Sequence, residues 1–119
     1  MAGWFAPPAT IEIEPRKNGQ IKNPTGKGDV KVAILTNAGF DAMTVDGSTL
    51  AFGPDGASLK RFRTTDVDND GDLDFLAFFN KADSGIQCAD TEVTLTGQTN
   101  AAQSIEGTDS IVTAGKECK

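Results

Sequence analysis

A chain of 119 residues with eleven Lys and Arg, seventeen Asp and Glu and no His is long enough for one domain with a core of its own. Its apolar fraction of 38% includes seven Phe and one Trp but no Tyr, and no stretch reaches the roughly eighteen apolar residues of a membrane span. The net charge of −6, with no basic stripe along the chain, argues against nucleic acid or an anionic membrane as partner.

Residues 1–9 read as an amino-terminal arm and residues 10–119 as the domain. The arm carries Trp4-Phe5-Ala6-Pro7-Pro8, two large aromatics beside a polyproline pair. Residues 1–8 lack the basic start and the long apolar stretch of an export signal, so any such signal is expected to have been removed. Tails are ordinarily polar. Trp4 and Phe5 therefore suggest three alternatives: packing on the domain's own core, docking on a neighbouring copy as in strand addition, or disorder.

From Thr10, the run Ile11-Glu12-Ile13-Glu14 alternates apolar and acidic residues, the period of a half-buried strand, and Pro15 ends it. Residues 16–29 are polar and rich in turn formers, with Asn18-Gly19 and Asn23-Pro24. Val30 to Thr36 predicts a central strand, and Asn37 to Met43 has room for one helical turn. Further strands are expected at Ser48–Phe52, Leu59–Arg63, Leu73–Asn80, Thr91–Gly97, Ala102–Ile105 and Ser110–Ala114. Seven or eight short strands, separated by the turns that thirteen Gly and five Pro supply, predict an all-β fold, an antiparallel β-sandwich.

One segment does not fit a strand or a helix. Asp66-Val67-Asp68-Asn69-Asp70-Gly71-Asp72-Leu73-Asp74 places five carboxylates within nine residues, where they repel one another unless a cation joins them. Ca²⁺ takes six to eight oxygen ligands at about 2.3–2.6 Å, and this spacing matches the first nine positions of a calcium loop. Asp66, Asp68 and Asp70 stand where side-chain oxygens point inward, and Gly71 stands at the sharp turn. Asp72 is placed to offer its backbone carbonyl, and Asp74 falls at the ninth position. An EF-hand would require a bidentate Glu at position twelve; Ala77 stands there instead, inside an apolar run. Asp74 or a distant carboxylate must then complete the shell. The plainer alternative is a solvated acidic turn.

The acidic loop explains most of the charge asymmetry. Residues 1–63 hold eight Lys and Arg and six Asp and Glu, whereas residues 64–119 hold three and eleven. One bound Ca²⁺ would change the net −6 to −4. The two cysteines, Cys88 and Cys118, form no CxxC or Cys/His grouping, so zinc is not indicated. Calcium is millimolar outside the cell, and a Cys88–Cys118 disulfide would also be stable there; two buried free thiols are the alternative. Both signals imply a secreted, extracellular or cell-surface protein.

Catalysis finds little support. The commonest general base, His, is absent. Glu12 and Glu14 lie two apart on one strand, roughly 6.5–7 Å between Cα atoms, a separation that paired glycosidase carboxylates can have; the outward polar face of a half-buried strand explains them more simply. No GxSxG or SxxK motif occurs, and Gly26-Lys27-Gly28 is too short for a phosphate loop.

Several phrases occur together in a fixed order: Ile11-Glu12-Ile13-Glu14-Pro15, Val32-Ala33-Ile34-Leu35-Thr36 with Phe40-Asp41, Val45-Asp46 with Thr49-Leu50, the Asp66–Asp74 loop, Gly85-Ile86-Gln87-Cys88, Leu95-Thr96-Gly97 and Ile105-Glu106-Gly107-Thr108-Asp109-Ser110-Ile111. In this ordered set, which covers residues 10–114, the chain resembles a family of secreted bacterial calcium-binding β-sandwich modules. The resemblance implies an accessory domain of exported multidomain or surface proteins, with no catalytic activity assigned to it. The expected function is thus a non-enzymatic, calcium-stabilised structural module of a surface or matrix assembly, self-associating as a homo-oligomer or filament through the arm. The alternative is a calcium-dependent carbohydrate-binding module with a polysaccharide partner, for which exposed aromatics are scarce.

Overall fold

The structure, a computed structural model, describes residues 9–37, 39–116 and 118. The arm residues Trp4 and Phe5 lie outside the described residues.

Ten strands appear among the described residues: β1 (Ile11–Ile13), β2 (Gln20–Lys22), β3 (Asp29–Ile34), β4 (Val45–Phe52), β5 (Ala57–Ser58), β6 (Arg61–Thr65), β7 (Asp74–Asn80), β8 (Glu92–Thr99), β9 (Ser104–Ser110) and β10 (Val112–Ala114). A 3₁₀ turn at Ala42–Thr44 precedes β4, and one helical turn, α1 (Lys81–Ser84), follows β7. Two four-stranded sheets result, ordered β1-β3-β7-β6 and β5-β4-β8-β9, and every pairing within them is antiparallel. The all-β, sandwich-like fold expected from the strand pattern is therefore present.

The alternation of side chains across each strand builds the layer between the sheets. Val30, Val32 and Ile34 of β3 and Phe75, Ala77 and Phe79 of β7 are buried on one inner face; Leu50 and Phe52 of β4 and Val93 and Leu95 of β8 are buried on the other. Phe52 and Phe79 stack across the layer with ring centroids 5.0 Å apart, an arrangement that adds to the burial of both rings. β3 and β7 are central strands, and apart from Asp29, Lys31, Asp74 and Asn80 their residues are apolar on both faces. On their outer face Ala33, Leu35, Leu76 and Phe78 form a second buried cluster, with Val67 packed against it.

Local departures from the sequence expectation have identifiable causes. The polar segment 16–29 contains β2, which pairs with β10 in parallel; Ile21 is its one buried residue, too little apolar pattern to read as a strand. Glu12 and Glu14 do not share an outward face, because β1 ends at Ile13 and Glu14 takes a φ of 46°. The Glu14 carboxylate turns back and accepts from the Lys31 N–H at 2.9 Å. β9 runs unbroken from Ser104 to Ser110, through Gly107, where the sequence suggests a break. Gly107 is a packing glycine: a Cβ there would lie 2.7 Å from the Ala9 carbonyl oxygen and 2.8 Å from Ile11 Cγ2.

Cys88 and Cys118 are joined in a disulfide with Cα atoms 5.2 Å apart. It ties the end of the chain to the segment before β8. No helix among the described residues is long and apolar enough to cross a membrane.

Candidate metal centre

The acidic segment is the connection of the β6–β7 hairpin: β6 ends at Thr65 and β7 starts at Asp74. The two strands are in register through Thr65↔Asp74, so the intervening residues must close a long loop between strand ends already held side by side. Asp66 organises it. Its Oδ1 accepts from the Asp70 N–H at 3.2 Å and its Oδ2 from the Gly71 N–H at 2.9 Å. The chain folds back by taking left-handed conformations at Asn69 (φ 59°) and Gly71 (φ 93°). A Cβ at Gly71 would meet nothing within 4 Å; glycine serves here for its φ, not for space. Asp70 closes the next turn, its Oδ1 accepting from the Asp72 N–H at 3.0 Å.

Asp74 anchors the other end. It is fully buried, which a carboxylate tolerates only with hydrogen-bonding partners. Its Oδ2 accepts from the Val67 N–H and its Oδ1 from the Thr36 N–H, both at 2.8 Å. Thr36 does more than donate through its backbone. Its hydroxyl donates to the Leu73 carbonyl at 2.7 Å and accepts from the Ala42 N–H at 2.8 Å. The loop is thereby fixed to the exit of β3 and to the 3₁₀ turn that leads into β4. The expected strand start at Leu73 shifts by one residue: Leu73 is 52% exposed, and the buried carboxylate of Asp74 opens the strand.

These contacts bring one carboxylate oxygen each from Asp66, Asp68 and Asp74 to within 4.8 Å of one another, a group that can hold a metal ion. Of the five sequence-predicted carboxylates, this trio converges. Asp70 is engaged in its turn with Asp72, and neither of them belongs to the group. Thr36, which the sequence reading did not assign to the site, is a supporting residue; the one hint is its position as the first polar side chain after the apolar end of β3.

The electrostatics express the convergence. Asp66 is held below the ordinary carboxylate range, chiefly by the Gly71 N–H. Asp68 is pushed up to about 6, first by partial loss of hydration within the loop, then by hydrogen bonding to Asp70 and by the negative charges of Asp74 and Asp70. Neighbouring carboxylates that cannot all ionise retain a proton. A cation among the three oxygens removes that conflict, and three hard oxygen donors suit Ca²⁺, Mg²⁺ or Mn²⁺ better than zinc or copper. Compared with models of known protein families and with curated proteins, the chain matches none.

Proposed function

We propose that this chain is a non-enzymatic, calcium-stabilised extracellular module and a building block of a surface or matrix assembly. The observation that carries the reading is the convergence of Asp66, Asp68 and Asp74 within 4.8 Å in the connection of the β6–β7 hairpin. Calcium–oxygen bonds of about 2.3–2.6 Å span a shell roughly 4.6–5.2 Å across, which accommodates that separation. The Asp70 side chain, the Asp72 carbonyl and water are the candidate remaining ligands. Calcium here pins the loop to β7 and, through Thr36, to the exit of β3; its role is structural. The Cys88–Cys118 disulfide supports an oxidising, extracellular setting. Self-association is assigned to the arm, with Trp4 and Phe5 as its anchors. Titration calorimetry with Ca²⁺, beside melts in calcium and in EDTA, tests the reading: no heat at millimolar Ca²⁺ and a melt indifferent to EDTA would sink it.

A second reading, calcium-dependent glycan binding, draws on an open depression of about 500 Å³ on the β4-β8-β9 face, lined by Thr49, Thr96, Gln98, Ser104 and Glu106 among others. Hydroxyl, amide and carboxylate groups suit sugar hydroxyls, but no aromatic platform lines it. Binding to immobilised polysaccharides, lost on Gln98→Ala and Glu106→Ala, would favour this reading over the structural one.

A further inference from the structure

The two sheets do not close all of their edges. β1 is sealed against β9: the Ala9 N–H donates to the Glu106 carbonyl at 2.8 Å and the Ile13 N–H to Asp109 Oδ2 at 2.9 Å. β5 is only two residues long. β6, by contrast, is a five-residue edge strand exposed along most of its length. Among the described residues, only β7 pairs with it. Half the backbone donors and acceptors of such a strand face outward and are free to template another strand.

The side chains of β6 define what that strand must look like. On the outer face of the sheet, Arg61 and Arg63 both lie over the Phe78 ring, with guanidinium carbons 4.4 and 5.6 Å from its centroid. Lys31 is the cross-strand neighbour of Phe78 on the other side. Lys60 and Arg61 share the single carboxylate of Asp29, at 2.8 and 3.5 Å. Among the described residues the ion pairs of these cations go to Asp29 alone, and the acidic loop begins at Asp66, one residue beyond the end of β6. On the inner face, Phe62 stacks on Phe75 with centroids 4.6 Å apart, yet 52% of it is exposed.

We propose that β6 is an acceptor edge for an extended partner segment in which acidic and apolar residues alternate. An added strand places its side chains directly opposite those of β6, with Cβ atoms about 4.5–5.5 Å away. Acids then stand opposite Arg61 and Arg63, and an apolar side chain between them covers the exposed ring of Phe62. Backbone hydrogen bonds supply affinity and the alternating pockets supply specificity, as in other strand additions. The same arginines exclude a second copy's β6. Antiparallel registers that keep the strand paired set Arg63 against Arg61 or against itself, and like charges directly opposite are destabilising.

The test uses the full 119-residue chain with calcium present and a capped synthetic heptapeptide, Thr-Glu-Val-Glu-Val-Glu-Thr. The expected result is saturable perturbation of the β6 amide resonances, absent with the Lys-for-Glu peptide and with a version N-methylated at alternate residues. The double variant Arg61→Glu/Arg63→Glu should weaken binding by about fivefold or more and accept the lysine peptide instead; should it fail to fold, Arg61→Gln/Arg63→Gln is read for the weakening alone. No perturbation at millimolar peptide, or undiminished binding of the N-methylated peptide, overturns the proposal. So does competition by polygalacturonate at equal charge concentration, which would show a charged patch and not a strand acceptor.

Discussion

Thr36 and Asp74 lie thirty-eight positions apart and are joined by a 2.8 Å hydrogen bond from the Thr36 N–H to Asp74 Oδ1. The same carboxylate accepts from Val67 through its other oxygen, so one buried side chain holds the exit of β3, the start of β7 and the acidic loop together. Asp74→Asn replaces one acceptor with a donor that faces a backbone N–H. Stranding a buried donor costs about 1–3 kcal/mol, and a lower denaturation midpoint in EDTA of that size is expected. Asp70→Asn, whose oxygen closes an exposed turn, should cost less. Chemical denaturation of both variants in EDTA checks the order, independently of any metal.

Calcium should stabilise the native state by mass action, because only the folded chain presents the converged oxygens. At a hundred times the dissociation constant the gain is about 2.7 kcal/mol, which for a domain of this size raises the melting temperature by roughly 8–12 °C. Asp66→Ala should abolish the calcium-dependent part while leaving a folded protein. A melt that shifts equally in the variant would place the ion elsewhere.

In EDTA, Asp68 gives the pH dependence a distinctive sign. Its folded pKa of about 6 lies above the ordinary 3.8, so the folded state binds its proton more tightly than the unfolded chain. That contribution is fully present below about pH 4 and is lost as pH rises through about 6. Asp66 and Asp29, both held below 3.8, act in the opposite direction, losing stability as pH falls through their lowered values. The difference between wild type and Asp68→Asn, followed from pH 4 to pH 7, isolates the effect: the relative stability of wild type should decline across that range. With calcium, protons compete with the ion, and affinity should fall below about pH 6.

The all-β class and the buried faces of the long strands were legible because Val30 to Thr36, Leu73 to Asn80 and Thr91 to Gly97 carry strong apolar patterns. β2 was hidden because Ile21 alone among its three residues is buried, and its partner β10 pairs with it from 92 positions further along, Val112 with Gln20, a pairing that local pattern does not encode. The strands expected at Ala102–Ile105 and Ser110–Ala114 left Gly107 between them, because a packing glycine is identical in sequence to one that interrupts a strand; only the approach of Ala9 and Ile11 distinguishes the two. At the acidic loop, spacing drew attention to all five carboxylates, but three-dimensional closure decides which converge. Asp74 reaches the group because it opens a buried strand, and Thr36 joins it because β3 and β7 are neighbours. Neither relation is local.

The disulfide should contribute in proportion to the chain it closes. With thirty positions between Cys88 and Cys118, the chain-entropy estimate is about 3.6 kcal/mol, an upper figure because reduced states retain structure. Intact mass under denaturing, non-reducing conditions should show no alkylatable thiol. The Cys88→Ser/Cys118→Ser variant should melt lower by a few kcal/mol equivalent, and reductant should lower the wild-type melt to match it.

The arm carries the assembly prediction. Large aromatics bury about 150–250 Å² each, so removing Trp4 and Phe5 from water is worth on the order of 8–12 kcal/mol gross at about 25 cal/mol per Å². Ordering the arm and giving up translational freedom consume much of that. Assembly through the arm would then need backbone hydrogen bonds along a sheet edge as well, and Pro7 and Pro8, lacking N–H groups, would confine that pairing to the residues on either side of them. An arm acting between copies and an arm packed on its own core respond oppositely to deletion of residues 1–8. In the first case assembly is lost and the sandwich melts as before; in the second the protein is monomeric throughout and the deletion lowers its melt. Sedimentation velocity across calcium concentrations, run on the full chain and the deletion side by side, separates them. The expected result is calcium-dependent association of the full chain and a monomeric, fully folded deletion; a full chain that sediments as a monomer up to tens of millimolar calcium defeats the assignment of the arm to assembly.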